Sequence, residues 1–135
     1  MHIKAKSMTQ FDIFHTLVKK NWKTGGGILY EPSSIAQQKR IVDMAYEHGF
    51  KGFHWIGVTD IANEGKYTYS SNNQPINFDP IWVPYNSYVD YSYGSRGPSY
   101  NCIATALFNP DDTYYAKWID TKCKLKKSTI CWSIN

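Results

Sequence analysis

The chain has 135 residues, 15 Lys and Arg against 11 Asp and Glu, a net charge of +4 and 16% aromatic side chains. That length suits a single domain, 1–135, with a core of its own. The modest positive charge comes without a nucleic-acid-binding motif, and no apolar run reaches the roughly eighteen residues of a membrane span, so neither nucleic acid nor membrane insertion is expected.

Residues 2–6 suggest a short first strand, and Thr9-x-x-Asp12 has the form of a helix capping box. Behind it Phe11, Phe14, Val18 and Trp22 fall on one stripe of a helix. Gly25-Gly26-Gly27 stops that helix; a phosphate loop is not expected, because no Lys-Ser/Thr follows. Ile28-Leu29-Tyr30 reads as a short apolar link. Ser34-x-x-Gln37 is a second capping box, opening a helix with Ile35, Val42, Ala45 and Tyr46 near one face and Gly49 at its end. His48, near that end, makes a favourable dipole contact in this reading.

From Phe50 onward the pattern is β. Phe53–Thr59 and Lys66–Ser70 read as a strand pair, with Asn72-Asn73 as the next turn. In the first of these, Trp55, Ile56 and Val58 are too apolar for water, and Gly57 permits close backbone approach. The segment 74–100 is irregular, with Pro75, Pro80, Pro84, Pro98, Gly94 and Gly97, and a loop of that length in one domain is usually functional or disordered. Cys102–Phe108, Tyr115–Ile119 and Ser128–Ile134 are the closing strand candidates, the first two separated by the turn Asn109-Pro110-Asp111-Asp112. Helices first and strands after define an α+β chain.

Chemistry is sparse. His2, His15, His48 and His54 are scattered and belong to no catalytic motif, so an enzyme is not expected. The cysteines at 102, 123 and 131 show no C-x-x-C spacing and no paired histidines, which argues against a metal site. Lys19, Lys20 and Lys23 form one basic cluster and Lys122, Lys124, Lys126 and Lys127 another. Both read as solvated faces, with weak attraction to acidic glycans or anionic surfaces as the alternative. No Asn-x-Ser/Thr sequon occurs. Met1-His2-Ile3-Lys4-Ala5-Lys6 lacks an apolar signal core, which leaves a mature form with an added Met or a chain that is not classically secreted.

Trp55-Ile56-Gly57-Val58-Thr59-Asp60 followed by Glu64-Gly65, then Trp82-Val83-Pro84, Cys102, Trp118-Ile119-Asp120, Cys123 and Cys131, resembles in order and spacing the C-type lectin-like domain from about Thr9 to Trp132. The resemblance implies two helices, a twisted and mostly antiparallel sheet, and a long inserted binding loop at about 74–100. It further implies a Cys102–Cys123 disulfide. Cys131 matches the last family cysteine, but its partner is missing from Leu17 to Trp22, so a buried free thiol is expected; a lost bridge of this kind removes ~2–5 kcal/mol.

Sugar-binding members hold calcium through a Glu-Pro-Asn or Gln-Pro-Asp triplet, an acid before the second-last cysteine pair, and the Asn-Asp of W-N-D. Here Trp82-Val83-Pro84 runs on into Tyr85-Asn86-Ser87-Tyr88, Ser99-Tyr100-Asn101 carries no acid, and Ile119 stands where Asn should, leaving Asp120 alone. Calcium needs six to eight oxygens, so no metal and no cofactor are expected. Should a non-standard calcium site exist, Asp79, Asp90, Asp111, Asp112 and Asp120 would be its carboxylates. What the loop offers instead is Tyr85, Tyr88, Tyr91, Tyr93 and Tyr100 among Asn86, Ser87, Ser92, Gly94 and Ser95, a composition like that of antibody contact loops. These rings either contact a ligand or fold inward and pin the loop. The expected ligand-binding residues are Tyr85, Asn86, Tyr88, Asp90, Tyr91, Tyr93, Arg96 and Asp120, with Trp82 and Pro84 anchoring the loop's base. The function implied is extracellular recognition of a glycan or protein ligand without the usual calcium bridge. The alternative is a surface-active or structural protein acting on matrix, mineral or ice.

Overall fold

The computed structural model describes residues 2–8, 27–84, 94, 97–125 and 127–133; for 2–8, 27–29, 128, 129 and 131–133 it describes the backbone alone. The first expected helix, from Thr9 to Trp22, lies outside the described residues, as does the thiol of Cys131.

The two ends of the chain meet. Strand β1 (His2–Met8) pairs antiparallel with β7 (Lys127–Ser133) from His2↔Ser133 to Met8↔Lys127. The other edge of β7 takes β2 (Gly27–Leu29), Gly27 opposite Ser133. Ile28-Leu29 is therefore a strand and not a link. It needs a partner about a hundred positions away, which no local pattern encodes.

Helix α1 (Ile35–Glu47) begins as its sequence requires: Ser34 is in extended conformation and its hydroxyl accepts from Gln37 N–H at 3.0 Å. The return arm differs from the usual box, because Gln37 Oε1 takes the N–H and hydroxyl of Ser33. Ile41, Val42 and Ala45 are buried, and so is Gln38, while Ile35 and Tyr46 are only half-buried. Gln38 is satisfied inside the core: Tyr30 OH donates to its Oε1, and its Nε2 donates to Thr105 Oγ1 and Ala116 O. The helix closes at His48, whose Nδ1 lies 2.8 Å from Met44 O, and Gly49 follows at φ +89°.

Strands run in the order β1-β7-β3-β5-β6, with β4 on β3. Strand β3 (Gly52–Thr59) is the centre. It is antiparallel to β5 (Cys102–Leu107) and parallel to β7, which it meets at Trp55↔Thr129. Its register with β5 shifts between Trp55 and Thr59. There the Gly57 N–H turns to Tyr30 O at 2.7 Å and Ser70 N–H to Gly57 O at 2.9 Å. Beyond the shift β3 takes up β4 (Thr68–Tyr69), shorter than the expected Lys66–Ser70 strand.

Because both faces of β3 and β5 are covered, alternate residues enter two cores. Ile56, Val58, Ile103 and Leu107 pack with Tyr30, Val42, Ala45, Trp118 and Ile130 under α1. Trp55, Ala104 and Cys102 pack on the other face with Val83 and Ile119. Each buried Val, Leu or Ile among them contributes on the order of 1.5–3 kcal/mol.

Two expectations are corrected. The strand expected at Tyr115–Ile119 is absent over Tyr115–Lys117: residues 109–117 form successive turns, with Tyr115 N–H on Asp112 O, and Ala116 sits at φ +56°. Strand β6 starts at Trp118 and runs Trp118–Thr121. The segment after Gln74 is also less irregular than its prolines suggest. Tyr69 N–H reaches Gln74 O and Ile76 N–H reaches Tyr67 O, making a hairpin whose turn has Asn73 at φ +57°. Ile76 and Phe78 then pack on the main core, so the inserted loop proper begins after Val83.

Candidate functional site

The long loop leaves the core at Ile81-Trp82-Val83. Trp118 N–H donates to Ile81 O and Val83 N–H to Trp118 O, both at 2.9 Å, which lays this segment alongside the start of β6. Val83 is 3% exposed and Trp82 stands edge-on to Trp118 at 6.0 Å. Trp82 thus anchors the loop as expected. Pro84 does not: it is exposed, and the buried member of the W-x-P element is Val83.

The loop is fastened again at Gly94. Its N–H donates to Asp120 Oδ1 at 2.8 Å and its carbonyl accepts from Tyr67 OH at 2.8 Å. Tyr67 in turn packs its ring 5.2 Å from Trp82. Gly94 lies at φ +92°, and a Cβ built there would stand 2.6 Å from Cε2 of Trp82. Conformation and close approach both demand glycine.

Beneath this fastening lies a carboxylate-rich turn. Asp60, at the end of β3, accepts Gly65 N–H on Oδ2 at 2.9 Å and closes the 60–65 turn. It is 2% exposed, and its Oδ1 has no hydrogen-bond partner among the described residues. Burial pushes the Asp60 carboxyl above the ordinary range, against the pull of its backbone hydrogen bonds, and Asp120 adds to the rise. Glu64 is raised too, by desolvation and then by Asp60. Tyr67 is held far above the usual phenol range by burial and then by Asp60, Asp120 and Glu64, so it remains a hydrogen-bond donor to Gly94.

The loop returns through Gly97, Ser99 and Asn101, with Tyr100 N–H on Gly97 O at 3.0 Å, and enters β5 at Cys102. Cys102 is bonded to Cys123, with Cα atoms 5.2 Å apart, as the family resemblance implied.

Of the expected ligand residues, Asp120 is 1% exposed and engaged with Gly94. Tyr85, Asn86, Tyr88, Asp90, Tyr91, Tyr93 and Arg96 lie outside the described residues. Ile119, where the family's liganding Asn belongs, packs in the second core at 9% exposure. Among the described residues no group of three or more His, Cys, Asp or Glu is arranged to hold a metal ion. Sequence reasoning missed Tyr67 and the role of Gly94; the one available signal was a glycine alone among tyrosines.

No family model matches the sequence, and no curated protein matches it. Solved structures do. Human lithostathine superposes with a TM-score of 0.69 at 19% identity, covering 99% of this chain and 82% of that one. The carbohydrate-recognition domain of the mouse scavenger receptor C-type lectin gives 0.63 at 17% identity, covering 97% and 89%. A calcium-independent type II antifreeze protein gives 0.63 at 19%, covering 98% and 85%. The chain therefore has the C-type lectin-like fold, the α+β architecture expected from its tryptophan and cysteine motifs.

Proposed function

We propose that this chain is an extracellular recognition module that takes a glycan or protein ligand on its long loop, through Tyr85, Asn86, Tyr88, Asp90, Tyr91, Tyr93 and Arg96. One observation carries the reading. The loop is tied to rigid core at Trp82-Val83, at Gly94 and at Tyr100-Cys102, so a tyrosine-rich segment is strung between fixed posts. Contact surfaces of this kind lose little entropy on binding, because scaffold and loop base are ordered beforehand. In this reading Asp120 positions the loop instead of touching the ligand.

The calcium bridge of sugar-binding relatives has no place in the proposal. Asp120 spends an oxygen on Gly94 N–H and Ile119 is a core residue, so the described residues do not fit the ion's ligand set. No catalytic step is proposed. A glycan array read with and without chelator, beside a pull-down from extracellular fluid, tests the module. Binding that survives chelation supports it, and binding abolished by chelation contradicts it. A second reading, a surface-active role on matrix, mineral or ice, draws on the same fold being that of a calcium-independent antifreeze protein. Thermal hysteresis or crystal-growth inhibition without any soluble ligand would favour it.

A further inference from the structure

The returning arm of the loop, Ser99-Tyr100-Asn101, stops one residue before Cys102, while Lys122 and Lys124 flank Cys123. The disulfide therefore joins two short walls at their base. Between them is a pocket of about 410 Å³, lined by Ser99, Asn101, Lys122, Cys123 and Lys124. Both walls are held. Asn101 O accepts Asp60 N–H at 3.2 Å, Tyr100 N–H is bound to Gly97 O, and Leu125 N–H reaches Lys122 O at 3.1 Å. Lys122 and Lys124 are exposed, and the Lys122 ammonium lies 5.7 Å from the centroid of the Tyr100 ring. No carboxylate is among the lining residues. The side-chain oxygen of Asn101 is buried and has no hydrogen-bond partner among the described residues.

We propose that this pocket is a subsite for the anionic group of an acidic saccharide, a sulfate ester or a uronate carboxylate; the inference rests on the glycan-binding reading of the loop. Two ammonium groups with no carboxylate among the described lining residues set up a local positive field that the net charge of +4 reinforces. Lysine acts as a point charge and accepts sulfate and carboxylate alike. The Ser99 hydroxyl and the Asn101 amide suit ring hydroxyls beside that anion. The Asn101 oxygen, which has no hydrogen-bond partner among the described residues, gains one from a ring hydroxyl by turning toward the pocket. The volume falls in the ~300–1,000 Å³ range of sites that enclose small molecules. A compact ring carrying charge and hydroxyls together satisfies both lysines and the amide. An acidic peptide brings its carboxylates on flexible arms, at greater entropic cost.

Titration calorimetry with a heparin-derived tetrasaccharide, a galacturonic acid trimer and a neutral galactose trimer tests the subsite. The proteins compared are the wild type, a Lys122→Gln/Lys124→Gln variant and a Lys39→Gln/Lys51→Gln variant with the same change in charge. Melting temperatures confirm that each is folded. At least one acidic saccharide should bind about tenfold or more tighter than the neutral trimer, and the Lys122/Lys124 variant should lose about tenfold, the effect of two exposed ion contacts. The Lys39/Lys51 variant should stay within about twofold. Heparin carries uronate as well as sulfate, so binding of the heparin fragment without the galacturonic acid trimer assigns sulfate, and binding of the galacturonic acid trimer shows that a carboxylate suffices. Equal losses in both variants would overturn the subsite in favour of diffuse charge attraction. Equal affinity for polyglutamate, lost in the same variant, would overturn the choice of a saccharide. Neutral-sugar binding that is lost on changing loop tyrosines but unaffected at Lys122 and Lys124 would overturn the subsite and leave glycan recognition standing. No binding of any saccharide would overturn both.

Discussion

Gly94→Ala should damage this protein out of proportion to a single methyl group. At φ +92° an L residue is strained, by about 1–2 kcal/mol. The new Cβ would also meet Cε2 and Cδ2 of Trp82 at 2.6 and 2.7 Å, well inside contact distance. Overpacking of that kind costs about 1–3 kcal/mol. The sum, roughly 2–5 kcal/mol, lowers the melting temperature of a domain this size by roughly 6–20 °C. Gly49→Ala supplies the control: Gly49 is at φ +89° with nothing within 4 Å of a Cβ, so it feels the conformational cost alone. A Trp82→Leu background supplies the second, since removing the indole should return the Gly94→Ala penalty to that of Gly49→Ala, a coupling of about 1–3 kcal/mol in a double-mutant cycle. Thermal unfolding of the four single and double variants with wild type measures all of this. Equal melting temperatures for Gly94→Ala and Gly49→Ala would refute the claim that Trp82 and Gly94 are packed backbone to ring.

Gln38→Leu removes a buried amide that serves Tyr30, Thr105 and Ala116 at once, and should cost about 2–4 kcal/mol in chemical denaturation, since three hydrogen bonds inside the core are lost together. Asp60→Asn keeps an acceptor for Gly65 N–H but removes the charge. A carboxyl raised in the folded state contributes stability present below the ordinary carboxylate range and lost as pH rises through its raised value, so the variant should match or exceed wild type at pH 7–8 and show a flatter melting profile from pH 4 to 7. His54 works in the opposite direction: burial lowers its pKa, so its contribution is present above about pH 6.5 and fades as pH falls, and His54→Gln should be relatively less acid-sensitive. Denatured but unreduced protein should yield one alkylatable thiol by intact mass, and reduction of Cys102–Cys123 should cost about 3 kcal/mol for a bridge of this loop length.

How legible the sequence was depended on how local each cause is. Ser34, Gln37 and Gly49 announce α1 because a cap and a stop are set within a few residues, and Asn72-Asn73 announce their turn for the same reason. The apolar run of β3 was readable because burial on both faces leaves it no alternative. By contrast, β2 owes its state to Cys131–Ser133, and Tyr115–Ala116 owe theirs to turns that β-prone composition conceals. Gln38 had no place in the sequence reading and is a hub of the core, because its partners come from three other segments. At the site, the motifs placed Trp82, Cys102 and Cys123 correctly. The fastening of Gly94 by Tyr67, Asp120 and Trp82 joins parts of the chain with no periodic relation, and only the folded backbone brings them together.

The central claim is that the ligand lands on the tyrosines of the loop while the core merely holds it. Tyr88→Ala, Tyr91→Ala and Tyr93→Ala, measured for affinity toward a ligand drawn from the array, in the presence of chelator and beside their melting temperatures, test it directly. Hot-spot rings predict a loss of about 1–2 kcal/mol or more in at least one variant, about fivefold to thirtyfold in Kd, with melting unchanged to within about a degree. Wild-type affinity in all three variants would contradict the claim and make the loop a structural strap.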